Sequence, residues 1–145
     1  MMNAVTALIV ESATARQKVP PELLEETGFR VVGTARTTFE ATHIIWREDY
    51  PQVLLVDGEL DFSTRGQALV DDLPSHYRPV VIALTDNPAI CADLRAPKGE
   101  GFKEGLRAAL EKAHWFATNP KALDKARRKV DQPVVAQSGV GGEVD

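Results

Sequence analysis

The sequence predicts an α/β domain: an open parallel β-sheet with helices on both faces. Three observations lead there. Short apolar runs recur at Val5–Val10, Val53–Val56 and Pro79–Leu84, too short for helices and without strict polar alternation, as in strands buried on both faces. These runs alternate with segments of helical composition, and repeated β-α order calls for parallel strands joined by right-handed crossovers. Each run is followed by a polar residue, Glu11, Asp57 or Thr85. A parallel sheet gathers such residues at its carboxyl edge, where open α/β sheets build their sites.

The elements follow in order. Val5–Val10 is the first strand, and Ser12 after Glu11 is a good N-cap, so a helix is expected to begin there. Pro20-Pro21 breaks it, because an interior proline removes a hydrogen bond and clashes with the preceding turn, at about 3 kcal/mol. It restarts with Pro21 in its first turn, runs through Glu22 to Glu26 and stops at Gly28. Phe29–Ala35 reads as the second strand, with Val31 and Val32 buried. Thr37 or Thr38 caps the next helix, which runs to about Asp49, with Glu40 near capping-box spacing. Phe39, His43, Ile44 and Trp46 give that helix a partly apolar face. His43 reads as a packed or surface residue, since no second His, Cys or carboxylate pair stands beside it at ligand spacing.

Gln52–Val56 then delivers Asp57 at the end of the third strand. Residues 58–65 form a polar loop, Gly66–Leu73 a short helix and Pro79–Leu84 the fourth strand. Cys91–Arg95 is a weak fifth strand. Roughly ten residues separate Thr85 from Ala96, fewer than a parallel crossover requires, so the fourth helix is expected to shrink to a turn or vanish. A helix from Gly99 or Glu100 to about Phe116 places Phe102, Leu106, Ala109, Leu110 and Ala113 on one stripe. Lys121–Lys129 reads as a short basic helix with a solvated face. After Pro133 the chain is rich in Gln, Ser and Gly without a core-forming period, and reads as disordered. The expected organisation is therefore a core over residues 1–116, a basic helical extension over 117–132 and a disordered tail over 133–145.

Composition narrows the classes. A formal net charge of −4 argues against nucleic acid as the main partner, which requires a basic face. Cys91 is the only cysteine, so no internal disulfide forms and a reducing, cytoplasmic setting fits. The start of the chain lacks the basic region of a signal peptide, and nothing approaches the roughly 20 apolar residues of a membrane span. No Gly-rich phosphate loop follows a strand, and Ser12, His43 and His76 make no recognisable triad order, so general hydrolase chemistry is not expected.

Read as chemistry, Glu11 and Asp57 are two acids suited to a hard cation, Asp57 doubles as a nucleophile, and Thr85 offers a hydroxyl to a phosphoryl oxygen. Together with Leu8-Ile9-Val10-Glu11, Val53-Leu54-Leu55-Val56-Asp57, Glu59-Leu60, Gly66 and Val80-Val81-Ile82-Ala83-Leu84-Thr85, they make the chain resemble the receiver domain of bacterial response regulators. Gly28-Phe29-Arg30-Val31-Val32-Gly33 resembles that family's second strand. The resemblance spans roughly residues 4 to 116.

It implies a flavodoxin-like, doubly wound, five-stranded parallel sheet, here with a degenerate fourth helix. It makes Asp57 the phospho-acceptor and Thr85 the switch hydroxyl. Glu11, Asp57 and the backbone carbonyl of Glu59 become the residues that hold Mg²⁺, weakly in this chain. The implied partners are a sensor histidine kinase or phosphotransfer protein and a downstream protein, with no nucleic acid and no membrane. The only enzymatic activity implied is self-phosphorylation from a phosphodonor and autodephosphorylation.

The departures bear on function. Ser12 stands where the family has its second acid, and one fewer charged oxygen weakens a Mg²⁺ site. Ala96 stands where the family has a lysine before proline; Arg95 and Lys98 are nearby, with different Cβ directions. Leu94 or Asp93 replaces the aromatic often found on the fifth strand. No DNA-binding output domain is expected after the receiver-like region. Two readings stay open: an atypical single-domain receiver phosphorylated on Asp57, and a pseudo-receiver that keeps the fold as an unphosphorylated interaction module.

Overall fold

The computed structural model describes residues 4–60 and 65–131. Its strands are β1 (Val5–Val10), β2 (Phe29–Ala35), β3 (Val53–Val56), β4 (Val80–Ala83) and β5 (Leu94–Arg95). As predicted, these five strands pair in parallel; their order is β2-β1-β3-β4-β5. The helices are α1 (Pro21–Glu26), α2 (Thr38–Arg47), α3 (Gly66–Asp71), α4 (Phe102–Thr118) and α5 (Pro120–Asp131). From β1 the chain steps outward to β2, then crosses back to β3 on the opposite side. The strand order therefore reverses between β1 and β3, and a crevice opens there beyond the carboxyl ends of both strands.

Alternation along the strands fills two layers. Val5, Ala7, Ile9, Val53, Leu55 and Ile82 face one side, beneath α1, α4 and α5. Leu8, Val10, Leu54, Val56 and Val81 face the other, beneath α2 and α3. On α4 the predicted stripe is buried and continues to Phe116. That is why β3 and β4 carry unbroken apolar runs: each residue is covered whichever way it points.

Several expectations need correction. No helix begins at Ser12: its hydroxyl accepts the Thr14 N–H at 3.2 Å, a local turn that competes with helix, and only the segment after Pro20 is helical. Val31 and Val32 are half-buried, because β2 is an edge strand. On α2 the residues that enter the core are Ala41 and Ile45, while Phe39 and Trp46 are 81% and 65% exposed and His43 is exposed as well. The N-cap is Thr37, whose Oγ1 accepts the Glu40 N–H at 3.1 Å. The fifth strand is shorter than predicted, Leu94–Arg95 alone.

The connection from β4 to β5 contains no helix, so its carbonyls need other partners. Arg95 supplies them, donating to Thr85 O at 3.2 Å, to Asn87 O at 3.0 Å and to Ile90 O. The basic extension is helical as α5, but it is more than a solvated face. Leu123 is buried, and Arg127 reaches back to Asp93 through Nε (2.8 Å) and Nη2 (2.9 Å) and to Pro79 O (2.9 Å). Lys121, Lys125 and Arg128 remain exposed. The tail over 133–145 and part of the 58–65 loop lie outside the described residues.

Tyr77 donates its hydroxyl to Pro51 O. Burial, and secondarily Tyr50, push its pKa up from the ordinary phenol value. The folded state thus holds the proton more tightly than the unfolded chain, so this contribution is complete below about pH 10 and declines as pH rises above it. Tyr77→Phe is expected to shallow the alkaline loss of stability, read as the change in urea midpoint between about pH 8 and about pH 11.

Candidate functional site

The register of the sheet sets the site. Val10 pairs with Val56, and Val56 with Ala83. The ladder runs one residue further: Glu11 N–H donates to Ala35 O, Asp57 N–H to Val10 O and Leu84 N–H to Val56 O, each at 2.9 Å. Glu11 and Asp57 therefore leave adjacent strands at the same height, and Thr85 follows one residue beyond Leu84. Gly58 turns the chain after Asp57, and an added Cβ there would stand 3.4 Å from Thr85 Cγ2 and 3.7 Å from its Oγ1. The three residues singled out in the sequence thus share one rim. Asp57 and Thr85 open into a cleft with Ser12, Gly58 and Asn87.

Glu11 is the buried member, 4% exposed. Both its oxygens accept the Val19 N–H, at 3.1 and 3.3 Å, so the loop after β1 closes over it. Lys98 bridges the two acids: its Nζ lies 2.6 Å from Glu11 Oε1 and 2.8 Å from Asp57 Oδ2. Asp57 Oδ1 accepts the Gly58 N–H at 2.8 Å. A single ammonium thus serves two carboxylates, and the cluster keeps a formal net charge of −1.

Lys98 is the residue of this cluster that the sequence pattern did not single out. Ala96 is buried in the core, and Arg95 is spent on the β4–β5 connection. Lys98 lies past Pro97, just beyond the last strand, and its side chain leans back over the rim. The available signal was a lysine two residues beyond Ala96. Its long flexible stem makes the Cβ direction a poor guide to where the charge ends up.

As a Mg²⁺ site these residues fit poorly. The ion demands near-octahedral oxygen ligands, yet the Lys98 ammonium already lies between Glu11 and Asp57, and each acid also accepts a backbone N–H. Glu59 has an exposed side chain and enters the expected set only through its backbone. Ser12 contributes no charge. Among the described residues no group of three His, Cys, Asp or Glu side chains gathers as a metal site. Thr85 Oγ1 accepts the Asn87 N–H at 3.2 Å, which leaves its own proton available to donate.

The doubly wound α/β architecture is shared with solved structures. The chain is similar to a response regulator receiver domain (CheY-like) from Methylobacillus flagellatus, with 26% identity, TM-score 0.60, and coverage of 77% of this chain and 99% of that one. The receiver domain of the Erythrobacter litoralis response regulator PhyR is 21% identical, with TM-score 0.61 and coverage of 79% and 92%. A PhyR stress response regulator is 24% identical with TM-score 0.64; the match covers 80% of this chain and 47% of that longer one. No protein-family model matches the sequence, and no curated protein matches it. The chain has the fold of a response regulator receiver domain. No helix among the described residues is long and apolar enough to cross a membrane.

Proposed function

We propose that this domain is an atypical receiver of two-component signal transduction that accepts a phosphoryl group on Asp57 and acts by binding a protein partner. The observation that carries this reading is the Lys98 ammonium held between Glu11 and Asp57, with the Thr85 side chain beside Gly58. In the transfer, a carboxylate oxygen of Asp57 attacks the phosphorus of a phosphohistidine on a sensor kinase or phosphotransfer protein. The P–N bond breaks, its electron pair leaves on the imidazole nitrogen, and an acyl phosphate forms on Asp57. Lys98 offsets the added negative charge in a partly desolvated place where fixed charges act strongly. Thr85 has a proton to give a phosphoryl oxygen.

The second reading, an interaction module that is never phosphorylated, is favoured by the neutral Ser12 and by the pairing of the buried Glu11 with Lys98 and the Val19 N–H. One experiment separates the two. The protein is incubated with phosphoramidate, with and without Mg²⁺, and its intact mass is measured. The expected result is a gain of one phosphoryl group that is absent in Asp57→Asn. No gain under either condition leaves the interaction module alone. Ser12→Asp, which restores a charged oxygen at the cleft, is expected to make the reaction depend more steeply on Mg²⁺.

A further inference from the structure

We infer that Gln17 and Gly99 form a two-point clamp that positions the Lys98 ammonium between Glu11 and Asp57, making Gln17 a positioning residue for the site described above. Lys98 sits beyond the end of β5. The ladder continues only as far as Ala96 N–H to Ala83 O at 2.8 Å and Lys98 N–H to Leu84 O at 3.3 Å. A lysine on such a loop has many rotamers and loses considerable freedom when its ammonium is fixed on two acids.

The restraint comes from the far side of the crevice. The Gln17 side-chain amide pairs with the Gly99 backbone in both directions: Gly99 N–H donates to Oε1 at 2.6 Å, and Nε2 donates to Gly99 O at 3.3 Å. Gly99 presents these groups because its φ is +124°, a conformation that glycine reaches without the steric cost a side chain would bring. The same β1–α1 loop donates its Val19 N–H to Glu11. Gln17 therefore ties the loop that closes over Glu11 to the loop that carries its counter-ion. The clamp is absent from the sequence pattern that carries the receiver resemblance, and it compensates for a lysine that arrives two residues late.

The proposal rests on the site geometry, and its primary test does not depend on phosphorylation. Gln17 is exposed, so Gln17→Met keeps the bulk of the side chain and removes both hydrogen bonds. An added Cβ at Gly99 would find nothing within 4 Å, so Gly99→Ala acts through the backbone conformation and not through a clash. Gly105, which also has open space but sits inside α4, provides the control as Gly105→Ala. The probe is the ¹⁵N-edited NMR signal of the Lys98 Nζ, assigned by its loss in Lys98→Arg, together with the backbone amide signals of Gly58 and Val19.

The expected result is a resolved Lys98 ammonium signal in the wild type and in Gly105→Ala, collapsing to the bulk lysine position in Gln17→Met and in Gly99→Ala. The Gly58 and Val19 amides should shift with it. An unchanged Lys98 signal in either folded variant overturns the proposal. Where phosphoramidate labels Asp57, both clamp variants should also slow labelling by about 10-fold or more, as displacement of a positioned group does. Absence of labelling in the wild type, with the ammonium signal behaving as stated, would reject the phosphorylation reading and leave the clamp intact.

Discussion

Gly66→Ala is expected to destabilise the domain severely and to push Asp57 out of place. A Cβ at Gly66 would fall 2.0 Å from the carbonyl oxygen of Asp57 and 2.6 Å from Val56 Cγ1. The first obstacle is backbone at the end of a central strand, so no side-chain rotation relieves it. Gly66 N–H also donates to Gly58 O at 3.1 Å, fastening the start of α3 to the turn that follows Asp57. Overpacking in cores costs about 1–3 kcal/mol and occasionally more; this site belongs at or above the top of that range because β3 is fixed on both sides. The urea midpoint measures the effect. The exposed helical Gly105→Ala should instead stabilise the domain by about 0.5–1 kcal/mol, moving the midpoint the opposite way. A Gly66→Ala protein as stable as the wild type, with an unchanged Gly58 amide signal, would contradict the close approach of α3 to Asp57.

Lys98→Met carries the second large effect. Removing the ammonium leaves Glu11, 4% exposed, facing Asp57 with no cation between them. Breaking a buried ion pair by deleting one partner costs about 3–5 kcal/mol, because the remaining charge stays desolvated and unpaired. The Lys98 side chain is 17% exposed and that of Asp57 18%, so water screens part of the loss and about 3 kcal/mol is the expected figure. The double variant Glu11→Gln/Lys98→Met should recover a good part of this, since a neutral amide can still accept the Val19 N–H. The coupling read from that double-mutant cycle should exceed about 1 kcal/mol. A cost below about 0.5 kcal/mol for Lys98→Met, the size of an ordinary surface substitution, would mean that the bridge does not form in solution.

Two signals were legible in the chain because they are local and periodic. Val53–Val56 and Val80–Leu84 announce central strands, since a strand covered on both faces has no place for a polar residue. The short spacing from Thr85 to Ala96 announces the lost fourth helix. Once strands are parallel, their register brings Glu11, Asp57 and Thr85 to one rim. The misreadings came where a local rule met a competitor. Ser12 looked like a helix cap and instead closes a turn with Thr14. Phe39 and Trp46 looked like a core face, but Ala41 and Ile45 turn inward and leave both aromatics in solvent.

The sequence by itself determined a doubly wound sheet and an acid-lined carboxyl edge, because strand burial and β-α alternation are written in the order of apolar and polar residues. Only the tertiary structure decided which cation serves those acids and what holds it there. Lys98 and Glu11 stand 87 positions apart, and Gln17 and Gly99 stand 82 apart. No periodicity spans such separations: these contacts exist because the β1–α1 loop and the segment after β5 fold over the same crevice, and a long lysine stem reaches where its Cβ does not point.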